Sequence, residues 1–166
     1  MQRCSTLSIH IRALEDGAIP ALFELLQHDE LYRYLRFPAP RTLDELALRF
    51  DVDVRPEGQV FTVHREEEPE RPIGFCRYRL EESSRFDIGY AIGYEFWGRG
   101  YATIVVAAML KELTVRFKGA EVVATASIGN VASIRALQRN GFLRVRSTKT
   151  ILHLEATYDL DYSLSL

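Results

Sequence analysis

One segment constrains this chain more than any other. Residues 85–107, RFDIGYAIGYEFWGRGYATIVVA, join an apolar strand pattern to a glycine-rich loop and a helix pattern with Gly98, Gly100 and Ala102 at its start. About four N–H groups at a helix N-terminus lack intrahelical partners, and they lie at the positive end of the helix dipole. Glycine permits positive φ and lets the backbone approach a bound group closely. The segment therefore predicts a phosphate-binding loop.

Composition limits both the domain count and the classes of partner. The chain has 166 residues and 47% hydrophobic content, which is enough for one domain with a substantial core and too little for two. The 21 basic residues are balanced by 23 acidic ones. Proteins that bind nucleic acids usually carry an excess of positive charge, so we expect no nucleic acid partner.

The sequence shows no metal motif and no membrane segment. Cys4 and Cys76 have no neighbouring Cys or His at metal-ligand spacing. The longest strongly apolar run, 104–110, is much shorter than the roughly 20 residues of a membrane span. No basic start with an apolar stretch behind it marks a signal peptide. We therefore expect a cytoplasmic protein with no metal.

Periodicity predicts strands and helices along the first half of the chain. An alternating strand at 7–11 is followed by a helix that Asp16 is expected to cap, with Pro20 in its first turn. Thr42, with Glu45 three residues on, predicts a capping box for a second helix. Three strands, at 60–63, 73–80 and 86–92, then suggest an antiparallel meander, with the acidic stretch 66–72 as a hairpin loop.

The second half predicts the one parallel step of the sheet. A helix runs from Gly100 to about residue 118, and the strand 121–128 follows it. A strand reached through a helix lies parallel to the strand that precedes the helix, here 86–92. Asn130 is expected to cap a short helix, and strands at 142–154 and 156–164 complete an α+β fold with a mixed sheet.

Two motifs meet at this parallel step, and together they resemble a known family. They are Trp97–Ala102, WGRGYA, preceded by Ile88–Tyr90, and Asn130–Phe142, NVASIRALQRNGF. In this combination the chain resembles the GNAT superfamily of N-acetyltransferases, in particular its ribosomal-protein-alanine (RimJ/RimL) branch. The resemblance implies a mostly antiparallel sheet of about seven strands with one parallel, splayed pair, and helices on both faces.

The resemblance also implies acetyl-CoA as co-substrate. In the family a Q/R-x-x-G-x-G/A loop holds the pyrophosphate, a splayed strand pairs with pantetheine as an added β-strand, and an asparagine contacts the pantetheine arm. The free N–H near Ile92 would polarise the thioester carbonyl. Trp97 replaces the polar first residue of the loop and is expected to pack. The implied cofactor residues are Tyr90, Ala91, Ile92, Gly98, Arg99, Gly100, Tyr101, Ala102, Thr103 and Asn130.

The catalytic residues that the resemblance implies are fewer. Ser133 matches a serine near the thioester sulfur in close relatives, and the tyrosine that many members use as acid is Leu137 here. A hydrogen bond from Ser133 would assist the leaving thiolate. Asp87, at the mouth of the splayed strand, is the candidate general base, with Glu155, His153 and water as alternatives.

The acceptor is less constrained than the cofactor. A peptide α-amine with a pKa about 8 is roughly 10% neutral at pH 7, against about 0.04% for a lysine-type amine near 10.4. Without a conspicuous strong base, the chain fits direct attack by an α-amine. A polyamine, an amino acid and an antibiotic amine remain alternatives, and the resemblance suggests a homodimer.

Two other interpretations compete. A dinucleotide-binding domain also has a G-x-G loop, but its third glycine would be Thr103, and an antiparallel meander would not precede it. A non-catalytic relative that only binds acetyl-CoA is the second alternative.

Overall fold

Seven strands form one mixed sheet: β1 Ile9–Ala13, β2 Gln59–Arg65, β3 Glu68–Glu82, β4 Arg85–Ile92, β5 Glu121–Ser127, β6 Leu143–Leu152 and β7 Glu155–Ser165. Their order across the sheet is β1-β2-β3-β4-β5-β7-β6. The structure, a computed structural model, describes residues 7–35, 37–53, 57–152 and 155–166. Strands β4 and β5 pair in parallel, and all the other neighbours pair antiparallel, which confirms the predicted α+β class.

Helices cover both faces of the sheet. They are α1 Ile19–Leu25, α2 Leu43–Asp53, α3 Tyr101–Arg116 and α4 Val131–Arg139. Helices α1 and α2 enclose a smaller core around Leu22, Phe50 and Val60. Helices α3 and α4 pack on the opposite face, over a larger core that includes Val105 and Leu137. Burial of these apolar side chains fixes the two layers against the sheet.

The structure confirms one predicted helix cap and contradicts another. The Thr42 hydroxyl accepts from the Glu45 N–H at 3.1 Å, which confirms the predicted cap of α2. The Glu45 carboxylate accepts from the Arg41 N–H at 2.8 Å. In a standard capping box this carboxylate accepts from the N–H of the capping residue itself, which is Thr42 here. The predicted Asp16 cap is wrong, because Asp16 opens a 3-10 turn and α1 begins three residues later, at Ile19.

The acidic stretch 66–72 is mostly strand, where a hairpin loop was expected. The turn lies at residues 66–67, and β3 already begins at Glu68. Pairing of β3 with β4 starts only at Gly74, and Pro72 opposes β2 at a register shift. Proline is tolerated there because an irregular edge needs no donor from its nitrogen.

Strands β1 and β2 carry two histidines whose rings stack on each other. His10 and His64 are register partners, with ring centroids 5.3 Å apart and planes 8° from parallel. His64 Nε2 lies 2.8 Å from the Thr62 hydroxyl. Burial lowers the pKa of His64, and the nearby charges of Arg12 and His10 lower it further. The pair is therefore stable when His64 is neutral.

This lowered pKa predicts a loss of stability in mild acid. The unfolded chain takes up a proton on His64 at higher pH than the folded chain does. The stabilisation is therefore complete above about pH 6.5 and is lost as the pH falls through the folded pKa. Replacing His64 with glutamine should flatten this loss of unfolding free energy in urea titrations at stepped pH. His28→Gln, on the surface, is the control, and equal slopes for parent and His64→Gln would contradict the prediction.

Candidate active site

Strands β4 and β5 pair over three positions and then separate. The parallel register joins 85–87 to 121–123. Strand β4 continues through 88–92, and β5 continues through 124–127 while paired only with β7. The end of β4 therefore has an open edge in the middle of the sheet, as the splayed pair predicts.

The backbone of this open edge presents donors to the gap. On the β3 side, the Gly93 N–H donates to the Ile73 carbonyl at 2.8 Å. Because N–H directions alternate along a strand, the N–H groups of Tyr90 and Ile92 point away from β3 and into the gap. An extended chain could pair with these groups as an added strand does. The predicted residues Tyr90, Ala91 and Ile92 all lie on this edge.

The glycine-rich loop forms an uncapped helix N-terminus. Gly98 and Gly100 have φ of 74° and 90°, the left-handed region that favours glycine. Gly100 is the N-cap of α3, and no side chain caps the helix there. Tyr101 and Ala102 begin the helix, and the Thr103 N–H donates to the Gly100 carbonyl at 3.1 Å. The first turn is thus arranged to accept an anion.

Three guanidinium groups surround the ring of Phe96 beside this loop. Those of Arg65, Arg71 and Arg99 lie 5.4, 5.7 and 5.9 Å from its centroid. Arg65 and Arg71 each form an ion pair with a glutamate, whereas the ion pairs among the described residues do not include Arg99. Arg99 is exposed. Arg99 therefore adds positive charge next to the helix N-terminus, which favours phosphate binding.

Trp97 packs against a neighbouring ring and also forms a hydrogen bond. Its ring is 43% exposed and lies 5.1 Å from that of Tyr94. The indole Nε1–H donates to the Ile92 carbonyl at 2.7 Å. Trp97 thus ties the end of the open edge to the glycine-rich loop.

Helix α4 borders the gap from the side of the larger core. The Asn130 side chain accepts from the Ser133 N–H at 3.2 Å, which confirms the predicted cap. This cap uses Oδ1 and leaves the amide Nδ2 available as a donor. The Asn140 amide donates to the Thr103 carbonyl at 3.0 Å and so joins α4 to α3. Leu137 is buried in the core, away from the gap.

The Tyr90 side chain is a candidate that sequence reasoning missed. Its hydroxyl is buried and makes no hydrogen bond within the described residues, and Ser133 is the polar side chain that approaches it. Burial raises the pKa of Tyr90, and the approach of Ser133 opposes that rise. An unpaired buried hydroxyl is costly and commonly marks a place for a ligand. Strand alternation places Tyr90 on the same face of β4 as the buried Ile88 and Ile92. This pattern could have predicted that the Tyr90 side chain is buried.

The opposite face of β4 carries a chain of charges. Asp87 Oδ2 lies 2.7 Å from Arg77 and 3.5 Å from Arg79. Arg77 also pairs with Asp53, at the end of α2, at 3.2 Å, and its guanidinium lies over Gly89. Burial raises the pKa of Asp53, and the positive charges of Arg77 and Arg79 partly offset this rise. Asp53 was missed because only the folded chain brings α2 beside β3.

The sequence predicted two further base candidates. His153 and the side chain of Glu155 fall outside the described residues.

Within the ranges that the structure describes, no group of three or more His, Cys, Asp or Glu could hold a metal ion. No helix among these residues is long and apolar enough to cross a membrane.

Comparison with known families identifies the fold. The family model described as acetyltransferase (GNAT) domain matches residues 8–143. The chain belongs to the GNAT acetyltransferase family. A search of curated proteins found no significant match.

Solved structures of GNAT acetyltransferases share the fold. A Bacillus anthracis GNAT acetyltransferase is 18% identical, with a TM-score of 0.81 over 96% of both chains. RimL, a ribosomal L7/L12 α-N-protein acetyltransferase solved with coenzyme A, is 18% identical, with a TM-score of 0.83 over 96% of this chain and 94% of its own. Spermidine N-acetyltransferase from Vibrio cholerae, solved with CoA and spermine, is 14% identical, with a TM-score of 0.79 over 95% of both chains.

The residues described above fit the co-substrate of this family. GNAT acetyltransferases use acetyl-CoA. The uncapped start of α3 and Arg99 suit the phosphates, and the open edge of β4 suits pantetheine. The RimJ/RimL subtype is a finer assignment than these similarities establish.

Proposed function

We propose that the enzyme acetylates the α-amine of a peptide or protein N-terminus by direct attack on acetyl-CoA. The observation that carries this proposal is the open edge of β4. It has a phosphate-binding helix start at one end, Ser133 and Tyr90 on one face, and a carboxylate cluster on the other. Such an arrangement can hold a thioester in the gap and admit an amine from the opposite face. The similarity to RimL supports an N-terminal acceptor.

Each group has a separate role in this proposal. Bound acetyl-CoA supplies the activated acetyl group. The N–H near Ile92 would stabilise negative charge that develops on the carbonyl oxygen. Ser133 and Tyr90 would donate hydrogen bonds to the leaving sulfur, and Asn130 would hold the pantetheine arm.

Thiol release across a panel of amines tests the proposed function. The panel contains a peptide with a free α-amine, the same peptide with a blocked N-terminus and one lysine, and spermidine. We expect CoA release to require the free α-amine. Activity only on spermidine would favour the second candidate, a small-molecule amine acetyltransferase, for which the Vibrio cholerae structure is the supporting similarity. Tight acetyl-CoA binding without release on any amine would indicate a non-catalytic module.

We propose that the general base is one of the two carboxylates held by Arg77, namely Asp87 or Asp53. Asp87 was predicted from the sequence, and two arginines contact the same oxygen of its carboxylate. Asp53 has a raised pKa, which brings a carboxylate closer to the range of an effective base at neutral pH. Water and the predicted His153 and Glu155 remain alternatives.

The pH dependence of kcat/KM separates the two carboxylates. A base must be ionised to act, so kcat/KM should have an acidic limb at the pKa of the carboxylate, separate from the rise that follows deprotonation of the acceptor amine at about pH 8. We expect Asp53→Asn to remove this acidic limb and to lower kcat/KM by about tenfold to 100-fold. Asp44→Asn, on the exposed start of the same helix, is the control. If the acidic limb of kcat/KM is lost in Asp87→Asn and kept in Asp53→Asn, the general base is Asp87.

The single domain, the cytoplasmic location and the homodimer stay predictions. Strand β6, at the sheet edge, gives the dimer a candidate surface. Its side chains Leu143, Val145 and Ile151 are exposed.

A further inference from the structure

A cavity of about 440 Å³ opens on the face of the sheet that carries Asp53. It lies between the 3-10 turn after α1, helix α2 and the sheet. Phe75 and Ala91 form its sheet side. Because Ala91 belongs to the open edge of β4, the cavity adjoins the gap predicted to hold the thioester. A volume of this size lies in the range of small-ligand sites, which is about 300–1,000 Å³.

The lining of the cavity is predominantly apolar. Glu45, Arg49 and Asp53 are its charged residues within the described part of the chain. Glu45 and Arg49 pair with each other at 2.6 Å, and Asp53 pairs with Arg77. The Tyr32 hydroxyl donates to the Leu26 carbonyl at 2.7 Å. These polar groups have partners already, so the cavity is poorly suited to a polycation, which would need several carboxylates of its own.

Large apolar side chains of the cavity wall are left in water. Phe37, Leu48 and Val52 are 50%, 64% and 57% exposed. Leu48 and Val52 lie four residues apart on α2, so they share one side of the helix. Clustered apolar exposure of this kind marks a binding surface, and an apolar ligand group would cover it.

The carboxylate position orients such a ligand. Asp53 borders the cavity and forms an ion pair with Arg77. The Arg77 guanidinium lies over Gly89, two residues before Ala91. An amine whose apolar group occupies the cavity therefore lies between Asp53 and the open edge. We infer that the acceptor is an α-amine whose own residue carries a bulky aliphatic or aromatic side chain. This inference rests on the proposed function.

A series of peptides that differ only in the first residue tests the inference. With Gly, Ser, Leu or Phe at that position, kcat/KM should be about tenfold to 100-fold higher for Leu and Phe than for Gly and Ser. Spermidine should be a poor acceptor. Acetyl-CoA is compared with hexanoyl-CoA in parallel, because an apolar cavity beside a thioester could also hold a long acyl chain.

A matched pair of variants connects the preference to the cavity. Leu48→Ser should lower kcat/KM for the Leu peptide by about fivefold to tenfold and leave the Gly peptide unchanged. Leu43→Ser is the control, since Leu43 is an exposed leucine of the same helix that does not line the cavity. Both variants alter exposed positions, so thermal unfolding checks that they fold alike.

The outcomes separate this inference from the function on which it rests. Turnover of all peptides at similar rates would overturn the inference alone. Better turnover of spermidine than of every peptide would count against the proposed N-terminal acceptor as well. Faster transfer of hexanoyl than acetyl groups would also overturn the inference, because the cavity would then hold the acyl chain. No release of CoA with any amine would overturn the proposed function together with the inference.

Discussion

Alanine at position 100 should weaken acetyl-CoA binding by at least about tenfold. Gly100 is the N-cap of α3 at φ 90°, so a side chain there strains the backbone whose N–H groups we expect to bind a phosphate. The loss of one hydrogen bond to a charged group costs about 1.5–3 kcal/mol, which is roughly tenfold to 150-fold in affinity. Isothermal titration with acetyl-CoA measures the change directly.

The backbone strain of that substitution needs its own control. A non-glycine residue at positive φ costs roughly 1–2 kcal/mol of stability even without a ligand. Gly119, just beyond α3, has φ 76° and open space around its Cα. Gly119→Ala should therefore show a similar loss of stability and normal affinity for acetyl-CoA. Equal affinities in the two variants would remove the start of α3 from the cofactor site.

Local sequence signals predicted most of the elements and their order. The glycines at 98 and 100, the Thr42 cap and the Asn130 cap act over a few residues, and the structure has each where expected. The parallel step followed from chain connectivity alone. The Asp16 cap failed because Asp16 opens a separate 3-10 turn, and a polar residue before an apolar pattern does not distinguish this turn from the helix itself.

The acceptor side could not be predicted because it depends on distant parts of the chain. Asp53 and Arg77 are 24 positions apart in sequence, and their pairing requires α2 to lie across the sheet. The cavity likewise needs the turn after α1 and the middle of α2 to face Ala91. No short motif encodes such an arrangement. Phosphate binding, in contrast, uses one helix start and therefore leaves a local pattern.

The open edge of β4 separates two environments. The side chain of Tyr90 points toward α4 and the larger core, whereas Ala91 faces the cavity. Alternation along one strand thus assigns the leaving group to one face of the sheet and the incoming amine to the other. An acid and a base held on opposite faces cannot neutralise each other, and each can be tuned by its own surroundings.

Removing the hydroxyl of Ser133 should lower kcat by about tenfold to 100-fold and change the affinity for acetyl-CoA by less than about twofold. A hydrogen bond to the departing sulfur strengthens as charge develops on it, so its loss affects the transition state more than binding. Tyr90→Phe should lower kcat by a similar factor. Burial raises the pKa of Tyr90, so the phenol keeps its proton at neutral pH and remains a donor. Stopped-flow thiol release in single turnover measures the chemical step.

The double variant distinguishes one shared donor from two independent ones. If Ser133 and Tyr90 act on the same sulfur through one hydrogen-bonded pair, Ser133→Ala with Tyr90→Phe should be little slower than the slower single variant. Tyr78→Phe is the control, because Tyr78 is another buried tyrosine of the same core, and its hydroxyl meets Arg116 instead. Effects that multiply would mean that the two hydroxyls act separately. Normal single-turnover rates in both single variants would exclude both residues from the reaction, and the leaving thiolate would then depart without help from a side chain.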